Sequence, residues 1–251
     1  MIKVIKPLTG LAGLMFALLC LGNLARADEM EKTKQALDAR QEKIVTIAAF
    51  TANGDLPKLK TALNGGLDAG LTVSEIKEVL IQLYAYTGFP RSLNGIQTFM
   101  SVMNEREKAG IADPAGVQPA ALPPGTDRNA YGEAVRMTLS GVTAVPPKSG
   151  YQLFAPGIDA FLKEHLFADI FGRGVLEFSD REIATVAALA ALGGTDAQLQ
   201  YHLNAAMNVG LSQQQVAGII SVLDRDVGKK ESALAGKVFG EVLKKRSNVN
   251  S

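Results

Sequence analysis

The feature that most constrains the fold of this chain is an internal repeat. The segment 44–83 aligns with the segment 183–223 once a one-residue gap is allowed. The copies agree at apolar, hydroxyl, amide and glycine positions, among them Ile44 with Ile183, Thr46 with Thr185, Leu63 with Leu203, Asn64 with Asn204, Gly70 with Gly210, and Leu83 with Leu223. Duplicated units of this kind usually pack against each other as a pseudo-symmetric pair. The sequence therefore predicts two related halves that share a core.

The two copies differ at positions that can carry chemistry. The second copy has His202 where the first has Ala62. The first copy has Glu78 where the second has Gly218. We therefore expect any functional site to draw different parts from the two halves.

The hydrophobic pattern has a helical period nearly throughout and shows no sustained alternation, so we predict an all-α fold built from two tandem repeats. Helices are expected near 29–53, 56–69, 73–86 and 91–109, and again near 157–171, 180–192, 196–209, 213–226 and 229–246. A connector rich in Pro and Gly, 111–150, separates the two sets and is expected to hold one helix over 128–140. Four capping boxes are predicted to mark helix starts: Thr72 with Glu75, Ser179 with Glu182, Thr195 with Gln198, and Ser212 with Gln215.

The first 27 residues have the form of a signal peptide. Lys3 and Lys6 precede an apolar run, and Ala25-Arg26-Ala27 has the small-x-small form of a cleavage site. Cleavage after Ala27 predicts a periplasmic or secreted protein. The mature chain is then divided into a first repeat, 28–110, the connector, 111–150, and a second repeat, 151–251.

Composition excludes several classes of function. The mature chain keeps 23 Lys and Arg against 25 Asp and Glu, and this net charge of −2 gives no electrostatic basis for binding nucleic acid or a membrane surface. The single cysteine, Cys20, lies in the predicted signal peptide, so the mature chain has no thiol nucleophile, disulfide or thiolate metal site. His165 and His202 show no metal-ligand spacing, and no nucleotide-binding fingerprint is present. We therefore expect neither a metal nor a cofactor, and we interpret His165 as structural.

Polar residues collect on one predicted helix face and at the corner that follows it. Glu78, Gln82 and Tyr86 are four residues apart and share a face, while Arg91 and Asn94 lie in the first turns of the next helix. The free N–H groups of a helix start also favour an anion. These groups form a candidate site, and the alternative from spacing alone is a solvated polar stripe.

His202 is the candidate acid/base group of the second copy. It borders the apolar stripe formed by Leu199, Leu203 and Ala206. A half-buried imidazole in such a place is suited to proton transfer near neutral pH. The alternative is a histidine kept at the edge of the core for its hydrogen bond.

Three segments resemble the carboxymuconolactone decarboxylase family. They are the histidine helix 198–212, QLQYHLNAAMNVGLS, the turn and helix 67–80, LDAGLTVSEIKEVL, and the corner 84–91, YAYTGFPR. The resemblance covers about 43–106 and 181–223. It implies an all-helical, alkyl-hydroperoxidase-D-like fold and a homo-oligomer, often a trimer or hexamer.

The resemblance also implies a choice between two chemistries. One branch of the family decarboxylates γ-carboxymuconolactone, and the other is a thiol peroxidase, of peroxiredoxin type, that uses a Cys-x-x-Cys pair with a nearby Glu and His. The mature chain has no cysteine, which disfavours the peroxidase branch. Its histidine and its Glu-Ile-x-Glu carboxylates lie in different copies, which departs from a single decarboxylase unit.

We therefore predict cysteine-independent acid/base chemistry, either decarboxylation or lactone/enol isomerisation, on a small carboxylated substrate. In this hypothesis the catalytic residues are His202 and Glu78, which meet in a composite site between the halves. Arg91 is expected to hold the substrate carboxylate, and the other predicted substrate-binding residues are Tyr86, Asn94 and Gln82. The alternative is a non-catalytic binding or scaffold protein that has kept the fold.

Overall fold

The computed structural model describes residues 37–249, and this part of the chain is helical and contains no strand. The predicted all-α fold is therefore confirmed. The predicted signal peptide and residues 29–36 of the helix expected at 29–53 lie outside the described residues. The predicted start of that helix is wrong, because Asp38 is an extended N-cap residue and the helix begins at Ala39. The α-helices are α1 (Ala39–Asn53), α2 (Leu56–Asp68), α3 (Val73–Lys108), α4 (Arg128–Ser140), α5 (Tyr151–Phe154), α6 (Pro156–Phe161), α7 (Phe178–Leu192), α8 (Asp196–Asn208), α9 (Gln213–Val222) and α10 (Lys229–Val249).

The two repeats pack around a central pair of helices, α1 and α7. Both helices are almost completely buried along their middle turns, and each contacts the other along its length. Each repeat also packs one further helix on the central helix of the other repeat. Helix α3 of the first repeat packs on α7, and α9 of the second repeat packs on α1. This exchange places the start of α3 beside the helices that carry the second copy of the repeat.

The correspondence between the copies extends beyond the segment that the sequence aligned. Arg106 at the end of α3 donates from Nη1 to Asn64 Oδ1 at 3.4 Å, and Arg246 at the end of α10 donates from Nη1 to Asn204 Oδ1 at 2.6 Å. Both pairs are related by the same offset that relates Gly70 to Gly210. Each repeat therefore ties its last helix to its second helix with an arginine.

Helix α3 consists of two helical stretches joined across a sharp kink, which agrees with the two helices expected at 73–86 and 91–109. Gly88 has φ 77° and ψ 161°, a backbone conformation that side-chain-bearing residues rarely adopt, and Pro90 follows it. Ser92 bridges the kink because its hydroxyl donates to the Leu80 carbonyl at 2.8 Å. The kink separates the residues before it, including Tyr86, from those after it.

Two of the four predicted capping boxes are confirmed and two are wrong. Thr72 with Glu75 and Ser212 with Gln215 form reciprocal boxes at the starts of α3 and α9. At α7, Glu182 does not reach back to a cap, because its carboxylate bonds to a histidine of the next helix. At α8, the Thr195 hydroxyl donates to the Leu189 carbonyl at 3.1 Å instead of capping its own helix.

The connector contributes to the folded structure through the predicted helix at 128–140, which forms as α4. This helix packs against a π-helical segment, Leu162–Ile170, that replaces part of the α-helix expected at 157–171. The backbones are close, since a Cβ at Gly132 would collide with the Lys163 carbonyl. A second apolar cluster holds the pair against α8, and it consists of Val135, Leu139, Leu166, Phe167, Ile170, Phe171 and Ala205. The predicted boundaries between repeats and connector stay a prediction.

Candidate functional site

A cavity of about 660 Å³ opens where α3 of the first repeat meets α7 and α8 of the second. Its volume is in the range of small-molecule sites. The π-helical segment and the connector helix α4 complete its wall, and π-helical turns are frequent at functional sites. The lining residues are Ala85, Tyr86, Arg136, Tyr151, Ile158, Leu162, Leu166, Phe167, Leu189, Thr195, Ala197, Gln198, Tyr201 and His202.

His202 is the acid/base group in this wall, and it is 5% exposed. Its Nδ1 lies 2.7 Å from Oε2 of Glu182, whose side chain is fully buried on α7. The other ring nitrogen, Nε2, makes no hydrogen bond with the residues that the structure describes. A carboxylate that accepts from Nδ1 fixes the ring and leaves Nε2 as the base, which is the arrangement that acid/base histidines use.

Tyr86 comes from the first repeat and packs against this histidine. The two rings are edge to face with centroids 5.4 Å apart. The phenol hydroxyl is buried and makes no hydrogen bond of ordinary geometry with a residue between 37 and 249. Burial raises the pKa of Tyr86 above its ordinary value, and the negative charge of Glu182 raises that pKa further, while the Thr185 hydroxyl is a polar neighbour that slightly lowers it. Tyr86 is therefore a neutral group that positions the imidazole from the opposite repeat.

The other residues on the predicted face of α3 point into the interface between the repeats and do not line the cavity. Glu78 is 1% exposed and accepts from Arg173 Nε at 2.9 Å and from Arg181 Nη2 at 3.3 Å. Gln82 accepts from Arg181 Nη1 at 2.8 Å and donates to Thr185 Oγ1 at 2.9 Å. Glu78 and Gln82 are thus part of a buried polar network that joins α3 to α7.

Arg181 is the centre of that network and is completely buried. Burial lowers the pKa of Arg181, and the carboxylate of Glu78 opposes this shift. A buried cation is tolerated only when a carboxylate and further hydrogen bonds compensate it. The geometry therefore gives Glu78 a role in holding Arg181, and Glu182 takes the place beside His202 that the sequence had assigned to Glu78.

Arg91 and Asn94 lie beyond the kink of α3 and have no place in the cavity wall. The Arg91 guanidinium packs against Gly54 at the end of α1, and its Nη1 is buried without a hydrogen bond to any described residue. Asn94 is exposed. The kink at Gly88 separates both residues from Tyr86, so the sequence-based convergence at this corner is not found. Their role in substrate binding stays a prediction.

The cavity has few polar groups besides His202. Arg136 is already neutralised, since it donates to Glu133 Oε2 and to Asp159 Oδ1 at 2.6 Å each. Gln198 is exposed, lies four residues before His202 on the same face of α8, and makes no hydrogen bond with the described residues. Its amide is free to bind a ligand carbonyl near the imidazole. The remaining wall is mostly apolar and aromatic.

The sequence reasoning missed Glu182, although one signal pointed to it. Glu182 aligns with Lys43, one residue before the matched pair of isoleucines, so the repeat diverges in charge there as it does at His202. Its spacing from Ser179 favoured a capping box instead.

His165, the other histidine, is half exposed, with Nδ1 3.1 Å from Asp169 Oδ2, and it does not line the cavity.

Comparison with known proteins agrees with this architecture. The model of the carboxymuconolactone decarboxylase family matches residues 23–98 and 156–236, which together are more than half of the chain. The protein belongs to the carboxymuconolactone decarboxylase family. The two matched regions fit a tandem arrangement of family repeats, each holding one side of the cavity.

A protein of Paracoccus denitrificans, named "Uncharacterized 15.0 kDa protein in nqo9-nqo10 intergenic region", is 31% identical over 77 residues. The match covers 30% of this chain and 58% of that protein. Its name assigns no activity, so the comparison supports similarity in sequence alone.

The described residues hold no helix that is long and apolar enough to cross a membrane. Across the same part of the chain, His, Cys, Asp and Glu side chains form no group of three or more with the geometry of a metal site.

Proposed function

We propose that this family member is a cysteine-independent acid/base enzyme in which His202 moves a proton and Glu182 holds it in place. The observation that supports this most directly is that Nδ1 of His202 is hydrogen-bonded to a buried carboxylate, while its Nε2, at the wall of a cavity, makes no hydrogen bond with a described residue. Glu182 stabilises the imidazolium that forms when Nε2 takes a proton. Tyr86 and Gln198 complete the site as a positioning residue and a carbonyl ligand.

Two related reactions suit these groups, and each is balanced without an oxidant. In enol or lactone isomerisation, Nε2 takes a proton from the carbon beside a carbonyl, the electron pair moves to the carbonyl oxygen, and the imidazolium returns the proton to another carbon. In decarboxylation, Nε2 takes the acid proton, the bond to the carboxyl carbon breaks, CO₂ leaves, and the imidazolium protonates the resulting enolate carbon. Gln198 can donate to the oxygen that gains charge in either case.

A small substrate with an apolar or unsaturated body suits the cavity. Leu162, Leu166 and Phe167 of the π-helical segment line it, together with the aromatic rings of Tyr151 and Tyr201. The absence of cysteine from this wall disfavours a thiol peroxidase. A small carboxylated lactone or keto acid remains our proposal for the substrate, with its carboxylate placed away from the neutralised Arg136.

The test uses two probes, γ-carboxymuconolactone for CO₂ release and levulinate in D₂O for exchange of the protons beside its ketone. We expect turnover of at least one probe, and we expect His202→Gln and Glu182→Gln to lower the rate by at least about 100-fold. His165→Gln removes the other histidine of the chain and is the matched control, which should keep the full rate. No turnover of either probe, or a full rate in His202→Gln, would favour a non-catalytic binding protein.

We also propose export and self-association. Export rests on the charged, apolar and small-x-small segments of residues 1–27, and mature protein from the native host should begin at Asp28.

Self-association rests on an exposed apolar surface beside the cavity, formed by Tyr151, Leu153, Phe154, Ile158 and Phe161. Light scattering should give a mass above that of one chain, and Phe154→Glu should lower that mass. A monomeric wild type would contradict self-association, and an intact N-terminus on protein from the native host would contradict export.

A further inference from the structure

A second cavity, of about 590 Å³, lies along a neighbouring face of α8, and two cations, Lys245 and Arg246, line it. It is formed where α8 meets α10 and the end of α4. Its lining residues are Ser140, Ala197, Gln200, Tyr201, Asn204, Asn208, Val242, Lys245 and Arg246. The two cations of this set make no ion pair with any residue between 37 and 249.

The first repeat provides an internal control for this charge. At the equivalent place Lys60 pairs with Glu105 at 2.6 Å, and Arg106 pairs with Asp68 at 2.9 Å and with Asp113 at 2.8 Å. Every cation there has a carboxylate partner. The first repeat therefore uses this helix junction as a structural contact in which the cations are fully compensated.

The second repeat keeps the contacts and loses the carboxylates. Gln200, Asn208 and Lys245 stand at the positions of Lys60, Asp68 and Glu105. The hydrogen bonds persist, because Lys245 Nζ donates to Gln200 Oε1 at 2.8 Å and Arg246 Nη1 donates to Asn204 Oδ1 at 2.6 Å and to Asn208 Oδ1 at 2.8 Å. Glu241 Oε2 accepts from Gln200 Nε2 at 3.5 Å and forms no ion pair with either cation. Fixed cations without a counter-charge, in a concave site, attract an anion.

We propose that this second cavity binds a small organic carboxylate. Arg246 offers a planar donor that matches a carboxylate, and Lys245 adds a second positive charge at the rim. The Tyr201 ring, Ala197 and Val242 give the cavity an apolar wall, which favours a carboxylate with a carbon body over inorganic phosphate. Ala197 and Tyr201 also line the His202 cavity, so the bound carboxylate lies next to the proposed active site.

The test follows binding of succinate by NMR at constant ionic strength, with the side-chain amides of Asn204 and Asn208 as reporters. We expect these amides to shift in a saturable way while the amide of Asn64, at the equivalent place in the first repeat, does not. Lys245→Glu and Asn208→Asp each restore the first-repeat carboxylate at their own position. Each should weaken binding, followed at the Asn204 amide, at least about tenfold, equal to roughly 1.4 kcal/mol. Lys244→Glu makes the same charge change one residue outside the cavity and should alter binding less than about twofold, within ordinary surface electrostatics.

Three outcomes would overturn the proposal. They are an absence of saturable shifts at Asn204 and Asn208, an equal loss of binding in Lys245→Glu and Lys244→Glu, and displacement of succinate by phosphate at equal or lower concentration. Each is independent of catalysis, because none of these measurements uses turnover.

Discussion

Nδ1 of His202 and Oε2 of Glu182 are 2.7 Å apart, and the other carboxylate oxygen of Glu182 is buried with no hydrogen bond to a described residue. The pair belongs entirely to the second repeat, while the ring that packs on the histidine, Tyr86, comes from the first. The site is therefore shared between the repeats, although the acid/base pair itself is not. The first repeat contributes an aromatic ring that packs on the histidine, and the second repeat contributes both members of the acid/base pair.

The His202–Glu182 contact predicts strong coupling between the two residues. His202→Ala leaves a fully buried carboxylate without any hydrogen bond, and we expect the free energy of unfolding to fall by about 3 kcal/mol. Adding Glu182→Gln removes the buried charge and should recover at least about 1 kcal/mol of that loss. Urea denaturation of the wild type, the two single variants and the double variant measures the coupling. Strictly additive losses would show that the contact is not formed.

The buried Arg181 predicts that Glu78 matters for stability. Glu78→Gln leaves a completely buried guanidinium without its carboxylate, and the expected loss is about 3–5 kcal/mol in the free energy of unfolding. Arg173→Gln is the matched comparison, because Arg173 is the partly exposed partner of the same carboxylate and should cost under about 1 kcal/mol. Denaturant unfolding of both variants should show the larger loss of stability in Glu78→Gln. A stable Glu78→Gln protein that has lost turnover would instead support the sequence-based role of Glu78 as a catalytic residue.

The sequence predicted the fold well because the relevant signals are local. Helical period, glycines before helix starts and the duplicated pattern are properties of short segments, and α2, α4 and α7 to α10 form close to their expected bounds. Helix α1 ends where expected but begins at Ala39, about ten residues later than expected. The site was harder to predict because it depends on which helices meet. Glu78 and Glu182 are both acids near a helix start, and only the packing of α7 on α8 brings one of them to His202. Arg91 lies away from the cavity because the chain kinks at Gly88, after Tyr86, and the direction of that kink could not be read from the sequence.

The buried Tyr86 predicts a specific response to alkaline pH. Because the folded-state pKa of Tyr86 is raised above the ordinary value of 10.0, the unfolded chain ionises this phenol first. The contribution of Tyr86 to stability is therefore complete below pH 10 and is lost progressively as the pH rises above it. In an ultraviolet titration the native protein should show fewer tyrosinates than the unfolded protein, with Tyr86 and Tyr201 forming the deficit, since burial also raises the pKa of Tyr201.

Tyr86→Phe is the control for that titration. It should remove one tyrosine from the deficit and flatten the fall in stability above pH 10. Because the hydroxyl makes no hydrogen bond of ordinary geometry with residues 37–249, the substitution should cost little or no free energy of unfolding at neutral pH. A large loss at neutral pH would mean that the phenol makes a hydrogen bond, and equal tyrosinate counts in native and unfolded protein would contradict its burial.

The close approach of α4 to the π-helical segment predicts that the connector helix is required for the cavity. A Cβ at Gly132 would collide with the Lys163 backbone carbonyl, which cannot move like the end of a side chain. We therefore expect Gly132→Ala to lower the free energy of unfolding by at least about 2 kcal/mol, although alanine favours a helix over glycine. Gly240→Ala, in α10 with no atom near the added methyl, is the matched control and should gain up to about 1 kcal/mol. Hydrogen exchange should locate the Gly132→Ala effect in α4 and in the segment 162–170. An equal gain in both variants would show that α4 does not pack against this wall of the cavity.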